Sequence, residues 1–354
     1  DDNKGSCCGG GGTPSQAALK PEDVDVAAVH ESVSKYYGKL QGTSDLATTA
    51  CCVRAETSDE VVRLLKNVHP GVVERFYGCG SPLPPLLDGC TVLDLGCGTG
   101  RDCYLAAQMV GEGGRVLGVD MTDEQLDTAR KHVDWHRERF GYAKPNTEFR
   151  KGLIEDLAGE AGVEDDSVDV VISNCVLNLA ADKGAVLREI WRVLKPGGEL
   201  YFSDVYCDRR LPDCLRQDEV LYGECLGGAL YTEDFRRKMS RAGFVDFRVC
   251  SSRKLDLDGA VGEALQGFGF YSCTVRAFKL EGMEDSLEDY GHVATYQGTI
   301  PGSPHAFHLE SPATRPPLVT GVPTRVDLNT GRILAGASTR LGRSGAFSVS
   351  GGQE

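Results

Sequence analysis

The sequence predicts a doubly wound α/β fold, a Rossmann-like parallel sheet, and three observations carry that reading. From residue 91 onward, short apolar runs alternate with amphipathic helical stretches, the pattern of parallel strands with helices on both faces. Thr91–Gly100, TVLDLGCGTG, reads as a short buried strand that runs into Gly96, Gly98 and Gly100 and then into a helix bearing Tyr104, Leu105, Gln108 and Met109. A second strand, Arg115–Asp120, ends in an acid suited to a ribose diol. Glycines at alternate positions turn the chain tightly and let a ligand press against bare amides. The triplet alone is a weak signal, but between a strand and a helix, with Asp120 beyond, it marks a nucleotide cradle.

Taken in order, residues 1–20 are Gly/Ser-rich and predict a disordered tail with a Cys7–Cys8 pair. A helix is predicted from Pro21, with Val26, Val29, Val33 and Tyr37 on one face. A loop with Cys51 and Cys52 follows, then a second helix from near Ser58 that aligns Val61, Leu65, Val68 and Val72. Arg75–Gly80, RFYGCG, is a glycine-flanked turn carrying Cys79, and Pro82, Pro84 and Pro85 close this N-terminal helical cap segment (21–85). In the central unit (86–280), a helix capped by Thr122 and Gln125 carries Leu126, Val133 and Phe140 on one stripe. Further strands are predicted at Thr147–Lys151, Val168–Ser173 and Glu199–Asp204, and helices at Lys183–Leu194 and Thr232–Ala242. Residues 281–354 turn to Gly, Pro, Thr and short apolar runs. They predict a small C-terminal domain with weak strands at His292–Tyr296 and Ala346–Val349 and no catalytic motif.

Composition narrows the function. The chain has 354 residues, 41% of them hydrophobic, enough for a full core and more than one domain. A net charge of −14 disfavours nucleic acid or an anionic membrane as the main partner. No apolar run approaches the ~18 residues that span a bilayer, and no secretory signal is visible. Fourteen cysteines, scattered through strands and helices on a nucleotide-binding core, imply a reducing cytosol and mostly free thiols. That usage points to metal, metalloid or redox chemistry.

The glycine string is D-x-G-x-G-x-G rather than the dinucleotide G-x-G-x-x-G, with Arg101 near the place of the last dinucleotide glycine. Asp94, two residues before the first glycine, suits a cationic cofactor with an amino-acid end. The string resembles the first motif of class I S-adenosylmethionine methyltransferases. On that resemblance, Phe244–Val249 and Ser272–Phe278 form the antiparallel edge pair that completes a seven-stranded sheet. Ligands sit beyond the carboxyl ends of parallel strands. There Asp120 would hold the ribose hydroxyls, Glu155 would accept from the adenine amino group, and Ile154 and Met121 would sandwich the ring.

Cys175 lies beside that cofactor, in Asn174-Cys-Val-Leu-Asn178. Methyltransferases acting on amines of bases often carry Asn/Asp-Pro-Pro-aromatic here, so that substrate class is disfavoured. Methylating O, N or C usually needs a base. The sequence places no histidine at these strand ends: His30 and His69 fall in the cap helices, and His132 and His136 on a helix face. A nucleophile with a lone pair and no proton to lose fits better, and trivalent arsenic is one.

The chain resembles the arsenite S-adenosylmethionine methyltransferase family from about Tyr36 to Leu280. The strings that carry this are Arg75–Gly80, Leu93–Cys103 (LDLGCGTGRDC), Val119–Thr122, Ser173–Leu179 (SNCVLNL), Gly197–Tyr206 and Gly223–Leu230 (GECLGGAL). The resemblance implies four functional cysteines, Cys51, Cys79, Cys175 and Cys225, with Cys52 adjoining the first. Cys79, Cys175 and Cys225 would bind As(III), and Cys51 would form a disulfide with Cys79 to reduce the pentavalent product between methylations. Thioredoxin or glutathione would restore the thiols. The resemblance also places Tyr77, Asp94, Gly96, Cys97, Gly98, Arg101 and Asn174 at the cofactor. Substrates would be arsenite, methylarsenite or their glutathione adducts, and the protein a cytoplasmic monomer. The thiols of Cys90, Cys97, Cys103, Cys207, Cys214, Cys250 and Cys273 are read as packing groups. Two other readings stand beside this one: a methyltransferase for a small organic substrate such as a quinone or sterol, and a thiol-rich metal-binding protein. The first would be indifferent to Cys175→Ser. The second lacks the paired Cys-x-x-Cys knuckles of zinc sites.

Overall fold

The computed structural model describes residues 26–39 and 58–352. The expected tail, the start of the first helix at Pro21, and Cys7, Cys8, Cys51 and Cys52 lie outside the described residues. Helix α1 is Val26–Lys39, and α2 (Asp59–Leu65) and α3 (Pro70–Val73) follow. The single helix expected from Ser58 is thus two. Pro70 lacks an N–H and sits at the first position of α3, where none is needed, while His69 Nδ1 caps it by accepting from Gly71 N at 3.1 Å.

The sheet runs β3 (Thr147–Lys151), β2 (Arg115–Asp120), β1 (Thr91–Leu95), β4 (Val168–Asn174), β5 (Leu194–Cys207), all parallel. A two-residue strand, β6 (Leu230–Tyr231), pairs with the end of β5 off the main path. Beyond β5 come β8 (Phe270–Phe278), antiparallel to it, and β7 (Phe247–Lys254), antiparallel to β8. The seven expected strands therefore lie on one path, with β6 as an addition. β5 outruns its expected bounds because β8 pairs with it as far as Cys207↔Phe270.

Alternate strand residues face opposite ways, so Leu93, Leu95, Leu117 and Val171 join one buried cluster while Val92, Val116, Val170 and Ile172 join another. Helices cover both faces: α4 (Arg101–Val110), α5 (Asp123–Lys131), α6 (Val133–Phe140), α7 (Lys183–Val193) and, later, α10 (Thr232–Ala242). The stripe expected through Leu126, Val133 and Phe140 is broken at His132, which ends α5 and precedes α6. Short helices α8 (Asp213–Arg216) and α9 (Glu219–Gly223) lie in the connection from β5 to β6, and α11 (Gly259–Ala264) in that from β7 to β8.

Beyond residue 290 the chain packs a further buried cluster around Tyr296, Phe307, Ile333 and Leu341, and Phe278 of β8 is part of it. Its strands are β9 (His292–Tyr296), β10 (Ala306–Phe307), β11 (Leu318–Val319), β12 (Thr324–Val326) and β13 (Phe347–Ser350), with helices α12 (Leu328–Ala335) and α13 (Arg340–Arg343). β9 is the middle of a three-stranded antiparallel sheet between β12 and β13.

Candidate active site

A cleft opens at the carboxyl ends of β1 to β4, where the glycine turn leaves β1 and enters α4. Gly96, Gly98 and Gly100 have φ of 65°, 53° and 85°, a region side chains disfavour. A side chain on Gly96 would collide with Val176, and one on Gly100 would meet Phe149 at 2.8 Å. Asp120 closes the cradle: its carboxylate accepts from Gly98 N at 2.9 Å and Thr122 N at 2.8 Å. Burial pushes its pKa upward, although those amides partly offset it.

Tyr77, Asp94, Gly96, Cys97, Gly98, Arg101, Asp120, Met121, Ile154, Glu155, Asn174 and Cys175 all border this one cleft. Their side-chain partners add detail that the sequence did not carry. Asp94 is 3% exposed and accepts from Cys103 Sγ at 3.2 Å; burial, with Asp102 adding, pushes its carboxyl well above the usual carboxylate range. Cys97 and Cys103 are buried thiols whose pKa burial raises, that of Cys97 to about 11, so they pack rather than react. Arg101 donates to Asp102 at 2.6 Å and stacks over the Phe76 ring at 3.8 Å.

One expectation is corrected. His30 does reach the strand ends: α1 carries it over the cleft, and its Nε2 lies 3.0 Å from Glu155 Oε1, which also accepts from Ala181 N at 3.0 Å. The helical periodicity of α1 showed which face is apolar, not what that face covers. Gln125 was expected only as a helix cap beside Thr122, and the helix has no side-chain cap bond. Gln125 Nε2 donates to Tyr37 O at 3.0 Å, and its buried Oε1, bordering the cleft, has no partner among the described residues. Cys214, expected to pack, is exposed.

Three of the four expected cysteines converge beside this cradle. Cys79, Cys175 and Cys225 are 2%, 5% and 2% exposed and share an apolar cluster with Val33, Val205, Leu221 and Phe270. Cys79 and Cys175 are disulfide-bonded here, their Cα atoms 6.0 Å apart, where the sequence reading had both as arsenic-binding thiols and gave Cys79 a disulfide with Cys51. Cys225 Sγ donates to Cys175 O at 3.1 Å. With two of the thiols joined, no group of three free ligands stands ready among the described residues. Cys175 and Cys225 have φ of 59° and 63°. Left-handed backbone at a non-glycine residue costs on the order of 1–3 kcal/mol and gathers at functional sites. The fourth cysteine, Cys51, lies outside the described residues.

Around the thiols, Asn178 Nδ2 donates to Val205 O at 2.6 Å and Cys225 O at 3.4 Å, while its N–H meets Asp204 at 3.1 Å. Burial pushes Asp204 up to about 7 and Lys183 down to about 8. The sequence flagged none of these as site residues: Asp204 lies inside β5 and Lys183 opens α7, and neither position by itself marks a site.

The fold and the cradle define a class I S-adenosylmethionine-dependent methyltransferase. The cofactor fits what is present: a glycine turn without side chains, an acid at the end of β2, and the buried acceptor of Gln125 aimed into the cleft. A methyltransferase-domain family model matches residues 86–243. An arsenite methyltransferase from Aquipseudomonas alcaligenes is 58% identical over 80% of this chain and 81% of its own length. Those of Mus musculus and Homo sapiens are 46% and 45% identical over 72% of this chain, covering 69% and 68% of theirs. The crystal structure of an arsenic(III) S-adenosylmethionine methyltransferase from Chlamydomonas reinhardtii superposes with a TM-score of 0.77 at 45% identity, over 83% of this chain and 98% of that one. The chain belongs to the arsenite methyltransferase family. Among the described residues no helix is long and apolar enough to cross a membrane.

Proposed function

We propose that this protein methylates trivalent arsenic held by the sulfurs of Cys79, Cys175 and Cys225. The observation that carries the reading is the convergence of these three cysteines, from three separate segments, in one dry apolar cluster against the cofactor cradle. Each thiol that takes arsenite forms one S–As bond and releases one water, so three thiols consume all three hydroxyls and leave the arsenic lone pair exposed. S-adenosylmethionine, held by Gly96–Gly98, Asp120 and Glu155, supplies the methyl group. Burial around the cysteines excludes water, and the chain's task is to hold nucleophile and methyl in near-attack geometry.

The Cys79–Cys175 disulfide is the oxidised form of two of those ligands. Two electrons and two protons from thioredoxin or glutathione must open it before arsenic is captured. In this reading Cys51 is the redox residue: it pairs with Cys79, and the two electrons given up as that disulfide forms reduce the pentavalent product for the next round. Such a cycle suits a reducing cytoplasm and a monomer, with 86–280 as the catalytic unit and 281–354 appended.

The test is arsenic speciation after incubation with S-adenosylmethionine, arsenite and a thiol, with Cys175→Ser in parallel. Methylated arsenicals from the wild type and none from the variant are expected. Equal product from both would overturn the ligand assignment.

A further inference from the structure

We propose that Asn174 is the positioning residue that holds Cys79 opposite Cys175, and so sets whether arsenic is gripped by three sulfurs or two. The inference rests on the reading that these cysteines bind arsenic.

Cys79 lies on a turn outside any helix or strand, and among the described residues no backbone-to-backbone hydrogen bond holds Cys79 or Gly80. Side chains do that work. Asn174 Oδ1 accepts from Cys79 N at 3.0 Å and Gly80 N at 3.2 Å. Its Nδ2 donates to Gly80 O at 2.9 Å and to Asp102 Oδ2 at 2.8 Å. An amide has two acceptor sites and two donor hydrogens, and here all four are used. On the other side Ser272 Oγ donates to Cys79 O at 3.0 Å.

The fit is tight. A Cβ on Gly78 would meet the Asn174 amide at 2.7–2.8 Å, and one on Gly80 would strike Ser203. Asn174 is 8% exposed, and its bonds to Cys79 N and Asp102 are buried. It also directly precedes Cys175, whose own N–H is fixed by Ser203 O at 2.8 Å. One side chain therefore ties the Cys79 turn to the strand end that carries Cys175. Through Asp102 it reaches the start of α4, beside the cofactor turn. This differs from the role the sequence suggested for Asn174: its amide is spent on the turn, not offered to the cofactor.

The consequence is a selectivity. Arsenite has three exchangeable oxygens, whereas methylarsenite has two and needs only two thiols. Without Asn174, Cys79 loses its register while Cys175 and Cys225 keep theirs. Arsenite methylation should then suffer more than methylarsenite methylation.

The experiment compares full-length wild type and Asn174→Ala, each reduced and loaded with arsenite, by X-ray absorption for the sulfur count around arsenic. It also measures kcat/KM on arsenite and on methylarsenite, and S-adenosylmethionine affinity. In the variant the count should fall from three sulfurs to two, and the arsenite-to-methylarsenite ratio should fall about tenfold or more. Asn174→Asp keeps the acceptor for Cys79 and Gly80 but turns a carboxylate oxygen on Gly80 O and Asp102 Oδ2, where the amide donates, so it should restore neither. Should the alanine variant not fold, Asn174→Ser reads the same, since its hydroxyl reaches neither amide. Three sulfurs and an unchanged ratio in a folded variant overturn the proposal, as does a loss confined to cofactor affinity. A wild type without a three-sulfur shell would instead overturn the ligand assignment beneath it.

Discussion

Two regions of this molecule solve the same problem, fixing loops against a sheet, in opposite ways. At the cysteine corner the groups that touch the cysteine loops are neutral, the amides of Asn174 and Asn178 and the hydroxyl of Ser272, while the buried carboxylates of Asp102 and Asp204 brace those two asparagines from behind. At the other side, where the C-terminal unit meets the sheet, the fixtures are buried charges. Arg276 of β8 meets Glu199 of β5 at 2.6 Å, and Arg340 of α13 binds the same carboxylate and Leu86 O. Arg248 of β7 meets Asp246, Glu310 and Asp327 at 2.7, 3.1 and 3.3 Å. Buried ion pairs are costly to desolvate and costly to break, so they suit a contact that never opens. A corner that must admit a soft, neutral substrate and exchange its own disulfide keeps such a pair, Arg101–Asp102, one residue removed from the sulfurs, behind Asn174. The comparison teaches that the charged contact serves stability and the neutral one serves geometry.

The largest predicted effect breaks the charged side. Arg340 is 5% exposed and Glu199 1%, so Arg340→Ala leaves a buried carboxylate with one partner instead of two. Stability should fall by about 3–5 kcal/mol in denaturant unfolding. S-adenosylmethionine affinity of the folded fraction should hold within about twofold. An equal loss of affinity at full folding would show that the two regions are coupled and end the contrast.

A smaller effect sits apart from both regions, at the ring stack of α4 and α6. His136 lies on Tyr104 with ring centroids 3.4 Å apart, and its Nε2 accepts from His69 N at 3.1 Å. Burial lowers its pKa from the ordinary 6.5 to about 4, with the nearby His132 and His69 adding. The folded value lies below the unfolded one, so the unfolded chain takes the proton first. The contribution is complete above about pH 6.5 and is lost as pH falls toward 4, by about 3 kcal/mol in all. His136→Gln keeps an acceptor and cannot titrate, so its unfolding free energy should fall less steeply between pH 6.5 and 4. Parallel curves for the two proteins would remove His136 from the account.

The sequence made the sheet legible because strands and helices are periodic. β2, β3 and α10 were expected at the bounds observed, and Gly96, Gly98 and Asp120 were found because their spacing is local. What stayed hidden is long-range and aperiodic. Glu199 and Arg340 are 141 residues apart, Asn174 and Gly80 94, and His30 and Glu155 125. Each pairing depends on how the elements dock, which no window of sequence records. Even α2 and α3 were merged, since the apolar spacing runs through Pro70 and only the proline breaks it.

The smallest effect tests whether the neutral character of the site extends to its lid. His30 and Glu155 are partly shielded, with side chains 17% and 12% exposed, and the pair is ionic only when the histidine carries a proton. His30→Ala should therefore cost stability little, at most about 1 kcal/mol. Its effect belongs to cofactor binding, because Glu155 borders the cleft and α1 covers it. The expected result is a KM for S-adenosylmethionine raised about two- to fivefold with kcat little changed, since the histidine holds the lid and touches no arsenic ligand. Should kcat fall instead while KM stays put, α1 would be acting on the chemical step. The cysteine corner and its lid would then have to be treated as one device.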